Sequence, residues 1–325
     1  MSRRGEQPTV PPARFESYYD RPVLKPPRWK VPDVPAYLYL GGMAGASALM
    51  AAFGEATGRP DLARTGRLAA GGGISLGVVA LVHDLGRPER FLHMLRVFKP
   101  TSPLSVGSWL VAPFGTLAGA AAAGELTGRL PRAVRWAGAG AALLGAPVAT
   151  YTGALLANTA VPAWHEGYRQ LPFLFAGSSL ASAGAVGMAG TPVGQAGPAR
   201  RMAVAGAVLE LASAAVLERR LGLVAEPYRT GRGGALLRAA AVLTGAGAAG
   251  TLLGGRRRGT ALLSAAALTA GALASRFGVV EAGMASARDP KYTVLPQRQR
   301  LAERAASAPA QPAGAGGPRA GQPAG

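Results

Sequence analysis

The sequence has no cysteine, three histidines and, among its 35 basic residues, only four lysines: Lys25, Lys30, Lys99 and Lys291. Without cysteine there is no structural disulfide, no thiolate nucleophile and no iron–sulfur cluster held by this chain's own ligands. His83, His93 and His165 each stand at or beyond the end of an apolar run, which argues against a haem gripped between two mid-membrane histidines. If electrons pass through this chain, a partner or a diffusible ligand must carry them. Charge is also scarce, at 16% of 325 residues against 49% hydrophobic.

What is present is apolar sequence gathered into long runs, with Arg and Lys between the runs and in the tails. A soluble fold would break its apolar residues into shorter amphipathic stripes. The formal charge of +19 would suggest nucleic acid in a soluble protein. Here it fits basic loops that orient a membrane protein and touch anionic headgroups, so membrane lipid is the expected partner and nucleic acid is not.

A helix needs about 20 apolar residues to cross the hydrocarbon core. Eight segments qualify: 35–56, 65–83, 104–126, 134–158, 170–190, 202–218, 235–254 and 260–282. The sixth is weakest, because Glu210 lies at its centre. The expected fold is all-α, a polytopic transmembrane bundle of eight spans in two four-helix halves. Residues 1–33 form a polar, Pro-rich N-terminal tail. Residues 34–160 hold the first four spans with an interfacial segment at 85–100, and 161–283 hold the last four. Residues 284–325 form a polar tail expected to be largely disordered. An even number of spans puts both termini on one side. Counting tails, the basic residues favour that side as cytoplasmic; short loops alone divide evenly and leave orientation open.

Two stretches carry polar groups where lipid would exclude them. In HDLGRPERFLHMLRVFKPTSPLSVGSWL (residues 83–110), His83 and Asp84 finish a helix that Gly86 and Pro88 break. Arg87, Arg90, Arg96 and Lys99 then alternate with Phe91, Leu92, Met94, Leu95 and Phe98, as in a short amphipathic helix lying at the interface. In YTGALLANTAVPAWHEG (151–167), Tyr151 and Asn158 share a helix face two turns apart. A Tyr hydroxyl or Asn amide in an apolar span needs a polar partner, either a neighbouring backbone or a ligand. Trp164 is expected in an interfacial aromatic belt. Glu210 requires pairing, hydration or protonation. It fits a proton path or an ion pair with an arginine such as Arg276, whereas Glu55, Glu125 and Glu281 lie near helix ends and can snorkel to water.

These segments, with YLYLGGMAGASALM, LPFLFAGSSLASAGA and RFGVVEAGMASARDPKYT, resemble in order the NrfD/PsrC family over residues 37–293. That family provides the membrane subunits of polysulfide-reductase-type complexes; the DLGRPERF block is the most specific match. The resemblance implies an eight-helix plasma-membrane subunit of an oxidoreductase, with no cofactor held covalently or by metal ligation. It would dock a four-cluster, ferredoxin-like iron–sulfur subunit, which contacts a molybdopterin-type catalytic subunit. Its own task would be to exchange electrons and protons with quinone, expected to be menaquinone, as exchangeable substrate in anaerobic respiration.

On that reading His83 shuttles protons, Asp84 orients it, and Tyr151 donates to a quinone carbonyl, with His83, Tyr151 and Asn158 binding the ring. Glu210 belongs to a proton path, and Arg87, Arg90, Arg96 and Lys99 form the docking surface. The plainer alternative has His83 and Asp84 capping the second helix. Two rival functions remain: a proton-coupled transporter, which needs a midplane site in broken helices, and a purely structural anchor.

Overall fold

The computed structural model describes residues 23–307, all of whose regular structure is helical. In chain order the helices are α1 (Asp33–Ala56), α2 (Pro60–Asp84), α3 (Pro103–Thr127), α4 (Pro131–Ala157), the single turn α5 (Pro162–Glu166), α6 (Leu171–Gly190), α7 (Gly197–Arg220), the turn α8 (Glu226–Arg229), α9 (Gly231–Gly254), α10 (Arg258–Arg288) and α11 (Lys291–Ser307). Each of the eight expected segments coincides with one long helix, with 134–158 and 170–190 each overrunning α4 and α6 by one residue. Proline opens α2, α3 and α4, where its missing N–H would have had no partner. Gly128, at φ 65°, closes α3 in the left-handed conformation that glycine adopts without cost.

Among the described residues, seven helices are long and apolar enough to cross a membrane. The remaining long helix, α7, which carries the sixth expected segment, has 24 residues and so about 36 Å of length, but Glu210 and its terminal arginines lower its apolar content. It packs lengthwise on α6 and against α9 as a full member of the bundle.

Helices α1–α4 pack on one another, as do α6, α7, α9 and α10; α1, α2 and α4 against α6 and α1 against α10 join the two groups. Gly45 and Gly145 let α1 and α4 touch backbone to backbone, for a Cβ on either would lie 2.5 Å from the other's carbonyl oxygen. The connections gather at two ends. At the distal end Arg67 bridges Glu55 and Glu125 (2.8 Å to the latter), and Arg135 adds 3.0 Å to Glu55. These two glutamates are thus held by arginines of neighbouring helices instead of reaching alone for water.

The other, terminal, end carries residues 23 and 307, and here three expectations are corrected. Residues 88–99 do not form an α-helix: Pro88–Leu95 is a 3₁₀ helix, confined between extended Leu85 and the Pro100 turn. Its sidedness remains, with Phe91, Met94 and Leu95 turned inward and the basic side chains exposed. The polar C-terminal region is helical through Ser307: α10 continues past residue 284 because Ser286 and Ala287 are buried. α11 is then tied down by Lys291 to Glu226 and Arg300 to Glu166, 3.1 and 2.9 Å. Glu226 beside it holds the Lys291 ammonium above the usual lysine range. Disorder expected at 308–325, and the N-terminal tail up to residue 22, lie outside the described residues. Finally, Trp164 is fully buried, its indole N–H donating to Val279 O at 2.8 Å, with Gly283 cleared of any Cβ to admit the ring.

Candidate functional site

Beneath the 3₁₀ segment lies a cavity of about 340 Å³ enclosed by α1, α2, α3 and α4. Phe91, Met94 and Leu95 form its roof, and Val78, Leu81 and Leu155 its apolar walls. Its polar edge is narrow. Ser108 and Thr116 spend their hydroxyls on the carbonyls of Leu104 and Ala112, 2.9 and 3.0 Å away. The phenols of Tyr37 and Tyr151, from α1 and α4, have no hydrogen-bond partner among the described residues. Tyr37 is 6% exposed. Tyr151 reaches the cavity because position 107 is glycine; a Cβ there would overlap its ring. Two free phenols facing an apolar space are matched to a planar, lipid-soluble molecule that carries hydrogen-bond acceptors.

His83 and Asp84 sit at the rim instead. The His83 side chain is 73% exposed and pairs through Nδ1 with Asp33 Oδ2 at 2.7 Å. Asp84 Oδ1 accepts from the Lys30 backbone N–H, and Lys30 Nζ donates to His83 O, both at 2.7 Å. Together these contacts hold the segment before α1 across the terminal end, where Trp29 stacks on Trp164 with ring centres 5.0 Å apart. Of the three residues expected to converge on one ring, Tyr151 alone lines the cavity. Asn158 follows the last residue of α4 and is exposed, away from the cavity lining. Arg87, Arg90, Arg96 and Lys99 are all exposed and make no ion pair among the described residues.

The polysulphide reductase NrfD family matches residues 25–287, four-fifths of the chain, including every element of the cavity. The chain belongs to the NrfD family. Comparison with curated proteins gave no match. NrfD proteins are membrane subunits of polysulfide- and quinone-linked oxidoreductases and act with other subunits of such complexes. This chain is accordingly a multi-pass membrane protein.

In this NrfD chain the second helix group holds the other concentration of unsatisfied polar atoms. Glu210 is 4% exposed, and neither carboxylate oxygen has a hydrogen-bond partner. Arg276, 1% exposed, donates from Nη2 to Phe175 O and Ser179 Oγ at 2.9 and 3.1 Å, with its guanidinium 3.7 Å from the Phe175 ring centre. Its Nε and Nη1 are unpartnered, as are the hydroxyls of Ser178 and Thr244. The two charges occupy one buried polar cluster without a direct ion pair. A narrow cavity of about 50 Å³ runs from Glu210 past Thr244 and Ser275 to Glu218, near the terminal end of α7.

Tyr37 is the functional candidate that sequence reasoning missed. Its position in the first turns of a span looks like that of an interfacial anchor. The available signal was a second phenol, two residues before Tyr39, within an apolar span.

Proposed function

We propose that this chain is the quinone-reactive subunit of a membrane oxidoreductase, binding quinone in the cavity under the 3₁₀ segment. It exchanges electrons between that quinone and an iron–sulfur subunit docked on the terminal end. The carrying observation is the pair of unpartnered phenols, Tyr37 and Tyr151, inside an otherwise apolar cavity. Each can donate one hydrogen bond to a quinone carbonyl oxygen. The apolar walls suit the ring and the start of its isoprenoid tail. Menaquinone of the plasma membrane is the quinone in this reading.

Interconversion of quinone and quinol moves two electrons and two protons. The chain supplies no metal or flavin ligand set of its own in this reading, so electrons leave to the partner's clusters. That partner is a four-cluster, ferredoxin-like subunit with a molybdopterin-type catalytic subunit behind it. Protons need a route to water. His83 lies two residues beyond the cavity-lining Leu81 and is open to solvent, with Asp33 fixing its ring and Asp84 holding the neighbouring backbone. The exposed Arg87, Arg90, Arg96 and Lys99 supply the charge for docking. In the second group, which includes α7 as the sixth of eight spans, Glu210 and its cavity provide a proton path.

The test is quinol-dependent turnover of the membrane complex in Tyr37→Phe and Tyr151→Phe variants, beside reduction by an artificial dye at the catalytic subunit. Loss of one hydrogen bond to a reacting carbonyl predicts about a 10-fold fall in quinol turnover per variant. Dye activity and assembly stay at wild-type levels. Wild-type quinol kinetics in both variants would reject this cavity.

A further inference from the structure

We infer that the distal half of the bundle binds one anionic phospholipid in a groove between α1, α6 and α7. The groove, of about 330 Å³, is walled by Leu49 and Phe53 of α1, Leu180 of α6, and Pro198 and Met202 of α7. Its single charged lining residue is Arg201, exposed in the first turns of α7. Leu180 stands ten residues before the distal end of α6, so the groove reaches about 15 Å inward from the headgroup level, one leaflet's depth. That geometry fits an acyl chain with its phosphate at Arg201.

Charge balance supplies the second argument. The distal end holds eleven arginines against only three acids, Glu55, Asp61 and Glu125. All three acids are occupied. Glu55 and Glu125 accept from Arg67 and Arg135, and Asp61 Oδ2 accepts from Gln195 Nε2 at 2.6 Å. Arg201 therefore faces no carboxylate among the described residues. Its neighbour Arg200, bound to the carbonyls of Val193 and Gly255, adds positive charge. The anion that completes this site comes from the membrane, and the apolar groove restricts it to a molecule with a chain attached. The site lies on the opposite end from the quinone cavity and does not depend on that reading.

The experiment is native mass spectrometry of the purified full chain, mixed in turn with phosphatidylglycerol and phosphatidylcholine of identical acyl chains. The wild type should retain one phosphatidylglycerol at least about fivefold more readily than phosphatidylcholine, the preference worth one arginine at a lipid surface. Arg201→Gln should erase the preference, and Met202→Trp, which fills the groove, should lower retention of both lipids. Equal retention by the wild type, or an unchanged preference in Arg201→Gln, overturns the proposal. So does displacement of the lipid by soluble glycerophosphate at equal concentration, which would mark a phosphate site without a chain. Both variants change half-exposed or exposed side chains, and a sharp size-exclusion peak identical to wild type confirms their fold.

Discussion

The carboxylate of Asp84, last residue of α2, accepts a hydrogen bond from the backbone N–H of Lys30 at 2.7 Å, across 54 residues of sequence. Lys30 returns the contact through its ammonium to the carbonyl of His83, and His83 in turn pairs with Asp33. Asp84 therefore binds the chain that enters α1, and α1 carries Tyr37 into the cavity. A residue beside the cavity acts on it through the backbone of another helix. Replacing Asp84 by Ala removes the acceptor at an exposed site, a change worth about 0.5–1.5 kcal/mol. Trypsin should then cut faster after Arg28 and Lys30, with the helical bundle intact. Unchanged cleavage rates would mean that the Trp29–Trp164 stack alone fixes this segment.

Gly107 offers a steric test of the cavity. Its missing Cβ is what admits the Tyr151 ring. Gly107→Ala forces that ring or α3 to shift, at a cost of about 1–3 kcal/mol typical of an overpacked site. The expected result is a raised KM for quinol with assembly retained. Gly72→Ala, where a Cβ meets nothing within 4 Å, is the matched control and should leave KM unchanged.

Much of the fold is legible in the sequence, and for a physical reason. In lipid every backbone polar group must be satisfied within its own helix, so long apolar runs such as 104–126 and 260–282 have one outcome. The ends carry weaker signals. α11 is polar, and what makes it helical and fixed is Glu226 and Glu166 arriving from distant sequence. The site is legible only in part. Tyr151 stands out as a phenol inside an apolar span, but Tyr37 joins it only because α1 and α4 pack through Gly45 and Gly145. His83 attracts attention as a titratable group, yet its direction follows from Asp33 and the folded-back segment at Lys30.

Docking on the terminal end predicts a charge effect. Arg90 and Arg96 are exposed and unpaired, so reversing both to Glu leaves the fold untouched while replacing two favourable contacts with two repulsive ones. Like charges brought together at an interface cost several kcal/mol, which corresponds to at least about a 100-fold loss of affinity. The iron–sulfur subunit should appear in the soluble fraction, and raising salt should worsen release in the wild type as well. Retention of the partner on membranes, at normal levels of this chain, would place docking elsewhere on the terminal end.

Glu210 and Arg276 separate a proton-path role from a structural one. The Arg276 guanidinium is held by Phe175 O and Ser179, while both Glu210 oxygens are free and line the cavity toward Glu218. Glu210→Gln keeps the size and removes the titratable group. Arg276 keeps its hydrogen bonds to Phe175 O and Ser179 Oγ and no direct ion pair is broken, so the thermal midpoint should fall less than in Arg276→Gln. Arg276→Gln, in contrast, removes the guanidinium that donates to Phe175 O and Ser179 Oγ and the positive charge nearest Glu210, at about 1–3 kcal/mol. In proteoliposomes, Glu210→Gln should keep quinol-to-dye electron transfer and lose the accompanying proton movement, followed with an entrapped pH indicator. A Glu210→Gln variant that unfolds as readily as Arg276→Gln, with proton movement per turnover unchanged, would assign the carboxylate to packing of α7 against α6 and α10.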